Sequence, residues 1–198
     1  MKEYSNQDIQ PIAQALKNGE ILAFPTDTVY GVGTVYGNPA ALQRLKAVKH
    51  RPQTKPIPMM CADLSVMEGI AELTPLAKKI AEAFLPGPLT LIVPLAKGSD
   101  SLYTNGKDTL ALRIPDAPVL LEIMAQLKKP LMVTSANVSG EPAALSKAEA
   151  MAMLPELDGI LDGECRQGIA STIVDCTKDA PLILREGPVS LAEIKAVL

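Results

Sequence analysis

The chain has no tryptophan, a single histidine at position 50 and an aromatic share of only 3%. Binding single strands by stacking bases requires aromatic rings, so that mode of nucleic-acid recognition is disfavoured. A formal net charge of -3 argues in the same direction against a general polyanion binder, although a local basic patch stays open. With only His50, zinc sites built on several histidines are removed, and at most one Ser-His-Asp arrangement remains. Cys61, Cys165 and Cys176 are odd in number and irregularly spaced, which suggests neither a disulfide framework nor a CxxC zinc site. No apolar run approaches the length of a membrane span, and the polar start from Met1 to Ser5 does not read as a signal peptide. The expectation is a cytoplasmic chain with no membrane partner. A P-loop sequence is also missing, and Gly31-Val32-Gly33 lacks the third glycine of a dinucleotide fingerprint, so a nucleotide would need another cradle.

What is present is an ordinary globular balance, 47% hydrophobic and 21% charged over 198 residues, long enough to bury a sizeable core. Ile9, Ile12, Ala13 and Leu16 lie on one helical face behind a Ser5/Asp8 capping-box pattern, with Gly19 to close the end. Further helices are expected from Pro39, from Thr74-Pro75, over 119–127, over 146–154 with Ser146 and Glu149 as a box, and over 190–197 with Ser190 and Glu193. Apolar strands are expected at 21–24, 57–61, 91–93, 110–114, 131–133, 171–174 and 182–184. Strands and helices alternate, yet some neighbouring strands are too close for a crossover helix. That pattern predicts an α/β fold with one mixed sheet, parallel and antiparallel, covered by helices. No linker, repeat or low-complexity segment appears, so residues 1–198 read as one domain.

Chemistry-bearing residues gather at strand ends. The apolar run ending at Phe24 stops at Pro25 and is followed by Thr26, Asp27, Thr28 and Tyr30. Thr134, Ser135, Asn137 and Ser139 end another strand, and Ser171 and Thr172 open a third. Each cluster is compatible with plain turn chemistry; together they suit a ligand held by hydroxyls, an amide and backbone N–H groups. Arg44, Lys46, Lys49, Arg51 and Lys55 form a basic run with no acid among them. It reads either as a solvated helix end or as part of a site, because Lys49 and Arg51 fall where helix yields to a loop. Arg113 and Arg185 each end an apolar strand, facing an anion or paired with Asp116 or Glu186.

Taken in order, FPTDTVYGVG, KHRP with KP after it, LPGPLT, LALRIP, TSANVSG, GIASTIVD and LILREGP resemble the YrdC-like family across nearly the whole chain. The resemblance implies a twisted mixed sheet with flanking helices around a basic concave pocket. The implied activity is L-threonylcarbamoyladenylate synthesis: L-threonine, bicarbonate or CO2, and ATP give threonylcarbamoyl-AMP and pyrophosphate, with Mg2+ on the ATP phosphates. Downstream tRNA-modifying proteins would use the product, and weak binding of tRNA or double-stranded RNA is a further expected partner. Carried over by position, a KxR motif falls on Lys49 and Arg51, expected to be catalytic, and an SxN motif on Ser135 and Asn137. Thr26, Arg113 and Ser171 fall on the threonine side; Lys49, Lys55, Ser135, Asn137 and Arg185 on the nucleotide side; Tyr30, Thr134 and Thr172 are further candidates. No protein metal site is implied. Some members have a histidine near the place where this chain reads Met60, and longer members carry an additional C-terminal domain that is not expected within these 198 residues. Beside this reading, Gly31 and Gly33 suggest space for a ligand to pass the backbone closely. Two alternatives stand: an RNA-binding module without its own chemistry, and a paralogue acting on another substrate.

Overall fold

A computed structural model describes residues 1–198. In chain order the elements are β1 (Lys2–Tyr4), α1 (Ile9–Lys17), β2 (Leu22–Phe24), β3 (Gly31–Val35), α2 (Pro39–Val48), β4 (Met59–Met60), α3 (Leu64–Glu68), α4 (Pro75–Phe84) and β5 (Leu89–Pro94). A 3-10 turn (Ser101–Thr104) leads to β6 (Thr109–Arg113), α5 (Pro118–Leu127), β7 (Leu131–Ser135), α6 (Lys147–Met153), β8 (Gly159–Leu161), β9 (Thr172–Asp175), β10 (Leu182–Arg185) and α7 (Leu191–Ala196).

All ten strands join one sheet in the order β1-β8-β2-β3-β7-β4-β6-β5-β9-β10. Parallel pairs (β1/β8, β2/β8, β4/β6, β5/β9) mix with antiparallel ones (β2/β3, β3/β7, β4/β7, β5/β6, β9/β10), as the sequence pattern predicts.

Alternation along the strands divides the residues between the two faces of the sheet. On one face Ala23, Val32, Met59, Leu91, Leu112, Met132 and Val174 enter the larger core, with α2, α4, α6 and α7 packed over them through residues such as Leu45, Ile80, Ala150 and Ile194. On the other face Leu22, Phe24, Met60, Leu131 and Val133 meet Ile12 and Leu16 of α1 and Ile123 and Met124 of α5 in a second core. Burying each such side chain stabilises the fold by about 1.5–3 kcal/mol. α1 and α5 cover only part of that face. Past β4 the alternate positions Thr90, Ile92, Ala111, Arg113 and Ile173 line open cavities instead. The uncovered part of one sheet face is therefore the floor of the candidate site.

Three strands are absent from the sequence-based expectation: β1, β3 and β8. β3 contains Gly31 and Gly33, residues that weaken a strand signal. Their lack of side chains serves the sheet: a Cβ on Gly33 would lie 2.6 Å from the Met132 carbonyl oxygen, and one on Gly31 would lie 3.0 Å from Val133 Cγ1. The space that glycine leaves at position 33 is filled by β7, which corrects its reading as room for a ligand. Ser5 and Asp8 bond as the box pattern suggests, Ser5 N–H donating to Asp8 Oδ2 at 2.7 Å, but Asp8 itself is the N-cap and α1 starts one residue later. Ser190 and Glu193 form a complete box on α7. At α6, Ser146 caps Glu149 N–H at 3.2 Å while the Glu149 carboxylate reaches back to Leu145 N–H at 2.7 Å, one residue short of a box.

Candidate functional site

Two adjoining cavities lie on the uncovered face and share Pro58, Thr134, Ser135, Ile173 and Arg185. The first, about 590 Å³, is lined by Thr26, Thr28, Arg113 and Ser171 among others. The second, about 980 Å³, adds Arg51, Lys55, Tyr103 and Lys107. They are two lobes of one depression. A wider groove beside α1 contains none of the sequence-predicted residues.

The first lobe is built by the turn after β2. Pro25 ends the strand, Thr26 Oγ1 donates to the Val29 carbonyl at 2.7 Å, and Thr28 N–H donates back to Thr26 Oγ1 at 3.1 Å. Such hydroxyl-to-backbone bonds fold a turn without help from regular structure. Into this turn reaches Arg113, from the last position of β6. Its Nη1 donates to Thr28 Oγ1 at 2.8 Å, its Nη2 to Asp27 Oδ1 at 2.5 Å and its Nε to the Gly87 carbonyl at 2.9 Å. The pair is deeply buried, side-chain exposures being 6% for Arg113 and 2% for Asp27, and Asp27 Oδ2 has no hydrogen-bond partner. Burial lowers the Arg113 pKa and the Asp27 charge opposes that shift. The ion pair foreseen for Arg113 thus exists, but with Asp27; Asp116 pairs instead with Arg166 at 2.6 Å. Ser171 completes the lobe, its hydroxyl 2.8 Å from that of Thr90.

Charge is arranged differently in the second lobe. Arg51 donates Nη2 to the Pro56 carbonyl at 2.7 Å, and Arg185 donates Nη2 to the Ser171 carbonyl at 2.7 Å and to Ser171 Oγ at 3.1 Å. Neither guanidinium touches a carboxylate, nor do Lys55 and Lys107. Burial pulls the pKa of both Arg51 and Arg185 down. Four cations without counter-ions around one hollow make a site for an anion.

Several expected residues stand behind this surface. Lys49 is only 1% exposed and is not part of either lining; its Nζ donates to the Ser135 carbonyl and, at 3.3 Å, to Asn137 Oδ1. Burial, and then the positive charge of Arg51, pushes its pKa down to about 7. Asn137 receives Ser135 Oγ–H at 2.5 Å and donates Nδ2 to the carbonyls of Val138 and Glu141, so it shapes the loop. Lys49 and Asn137 thus stand one layer behind the lining, where they hold Ser135. Tyr30 is fully buried in the larger core, its hydroxyl donating to the Gly163 carbonyl at 2.8 Å, and it lines neither lobe. Thr172 is likewise internal, its hydroxyl donating to the Val189 carbonyl at 2.7 Å. Strand alternation explains both, since each side chain projects to the covered face. Thr134 lines both lobes as expected. Asp27, Thr28, Thr90 and Lys107 were not among the expected residues. The first two belong to the polar cluster that follows β2, and only the fold brings their partner Arg113 to them.

The basic run does not form a continuous surface. Arg44 pairs with Asp158 at 2.6 Å, Lys46 and Lys49 are buried, and Arg51 and Lys55 alone reach the cavity. No group of three or more His, Cys, Asp or Glu side chains is placed to hold a metal ion. No helix is long and apolar enough to cross a membrane.

The pattern of the Sua5/YciO/YrdC family, described as telomere recombination, matches residues 14–187. The chain belongs to this YrdC-like family. Among its relatives, a threonylcarbamoyl-AMP synthase of Bacillus subtilis is 38% identical over 99% of this chain and 58% of its own length. One of Pyrococcus abyssi is 35% identical over 96% of this chain and 57% of its own length. A putative threonylcarbamoyl-AMP synthase of Mycobacterium leprae is 40% identical over 93% of this chain and 84% of its own. The chain thus spans a little under three-fifths of the first two relatives. Among solved YrdC-like structures, Pyrococcus abyssi Sua5 complexed with L-threonine superposes with a TM-score of 0.92 at 32% identity, covering 100% of this chain and 60% of that one. Escherichia coli YciO, with a TM-score of 0.87 at 22% identity, covers 98% of both chains and shares the fold.

Proposed function

We propose that this YrdC-like chain is a threonylcarbamoyl-AMP synthase, with threonine in the first lobe and the ATP phosphates in the second. The observation that carries the reading is the junction: a lobe of hydroxyls and one paired arginine opens, across Ser135 and Arg185, into a lobe of unpaired cations. Condensing an amino acid with a nucleotide needs two such subsites in contact. The relatives' activity and the threonine complex of Sua5 support it.

In this scheme the threonine amine attacks CO2, or bicarbonate with loss of water, to form a carbamate. A carbamate oxygen then attacks the α-phosphorus of ATP, the bond to the bridging oxygen breaks, and pyrophosphate leaves. The carbamate, ATP and the departing pyrophosphate are anionic, so fixed positive charge stabilises the phosphoryl-transfer step. Arg113, held by Asp27 and Thr28, keeps two N–H groups for the threonine carboxylate. Thr26 and Ser171 flank it. Arg51, Lys55 and Arg185 face the phosphates, Ser135 marks the junction, and Lys49 with Asn137 fixes that serine from behind. Mg2+ belongs with the triphosphate as part of the substrate, where it neutralises charge. A cytoplasmic setting accords with three free thiols, and the product would pass to tRNA-modifying proteins. The test is pyrophosphate release with ATP and Mg2+, with threonine and bicarbonate omitted in turn. Release is expected only with both present; release independent of either would refute the synthase reading.

A further inference from the structure

The basic run leaves two cations that the proposed chemistry does not use, Arg44, which pairs with Asp158, and Lys46, which has no counter-ion. Lys46, in the last turn of α2, is 3% exposed and meets no carboxylate. Its Nζ donates to the carbonyl of Gln53 at 3.1 Å and to Asn105 Oδ1 at 2.8 Å. Gln53 lies in the loop that carries Arg51 and Lys55, while Asn105 closes the 3-10 turn whose Tyr103 and Thr104 form the facing wall of the second lobe. Asn105 adopts a left-handed backbone with φ of 57°, and its buried Nδ2 has no hydrogen-bond partner, so the bond from Lys46 to Oδ1 is the one that its side-chain amide makes.

The rest of the loop is held only by itself and by α2. Arg51 N–H donates to the Lys46 carbonyl at 2.8 Å, Lys55 N–H to the Pro52 carbonyl at 3.0 Å, and the Arg51 guanidinium to the Lys55 and Pro56 carbonyls. Lys46 is the loop's one hydrogen-bonded tie to the opposite wall. A buried ammonium facing only neutral acceptors is costly, and a methionine would fill the same space without that cost.

We propose that Lys46 is a positioning residue that fastens the 50–55 loop to the 101–105 turn, fixing the width of the second lobe and the presentation of Arg51 and Lys55 to the triphosphate. The fastening is a property of the free protein; its consequence for ATP rests on the proposed function. The experiment compares the full chain with Lys46→Met, Asn105→Gly and both together. Asn105→Gly keeps the left-handed backbone accessible and tests the contact from its other end. In either single variant, amide exchange at Arg51 and Lys55, the loop N–H groups that are hydrogen-bonded, is expected to accelerate at least tenfold in the free protein. KM for ATP should rise at least fivefold with KM for threonine within twofold, and Lys46→Arg should restore most of the loss. The double variant should be no worse than the poorer single one. Unchanged exchange in both single variants overturns the proposal, as do effects that simply add in the double variant or an equal rise in both KM values. If the wild-type chain releases no pyrophosphate, the synthase reading falls while the exchange measurement still decides the fastening.

Discussion

The two lobes differ in how they treat an arginine. In the first, Arg113 is sunk in the protein and neutralised by Asp27, with Thr28 and Gly87 fixing the plane of its guanidinium. In the second, Arg51 and Arg185 bond only carbonyl and hydroxyl oxygens and keep their full charge for the cavity. A paired arginine is a rigid fork that orients a small carboxylate at modest net charge. Unpaired ones raise the potential of a hollow, which suits a polyphosphate. The same residue type thus gives geometry in one lobe and field in the other.

Removing the field should have the largest effect. Arg185→Ala and Arg51→Ala are each expected to lower turnover by about 100-fold or more, the scale seen when a donor to developing charge is lost. The two should differ in steady-state kinetics: Arg51→Ala raises KM for ATP alone, whereas Arg185→Ala, at the junction, raises KM for both substrates. Equal patterns would erase the distinction between the lobes.

Removing the pairing comes next. Asp27→Ala leaves Arg113 buried without its counter-ion, a change that costs about 3–5 kcal/mol of stability. Urea unfolding measures it. Asp27→Asn keeps a hydrogen-bond acceptor for Arg113 and should recover part of that loss, yet it leaves the first lobe more positive and shifts KM for threonine while KM for ATP holds.

The smallest effect concerns Lys49, whose pKa of about 7 lies below the ordinary lysine value of about 10.4. Between those values the folded chain binds fewer protons at this site than the unfolded chain, so this contribution to stability rises with pH through the window. Below about pH 7 the full cost of holding the buried charge is present. The stability of the wild type relative to Lys49→Met should therefore climb between pH 7 and 10, by a total smaller than the Asp27→Ala loss. A flat difference would mean the ammonium is not depressed.

The mixed sheet and most of its helices were legible because apolar periodicity and caps are local. β3 was not, since the close approach of β7 that makes Gly31 and Gly33 suitable is a contact between residues a hundred positions apart. Within the site, Thr26, Arg113, Ser135, Ser171 and Arg185 stood out at strand ends and do line the cavity. The partner of Arg113 did not, because nearest-in-sequence carboxylates are the obvious choice and the fold brings in Asp27 instead. Depth was the other hidden quantity. Lys46, Lys49, Asn137 and Thr172 look like surface polar residues in the chain, and only the fold shows that they are buried.

The contrast between the lobes is tested most directly by calorimetric titration of ATP and of L-threonine at rising salt. Affinity for ATP is expected to fall at least tenfold between about 50 and 300 mM salt, as a field of unpaired cations is screened, while affinity for threonine, held by a buried and paired arginine, changes less than twofold. Equal salt dependence for the two ligands, or a steeper one for threonine, would contradict the account.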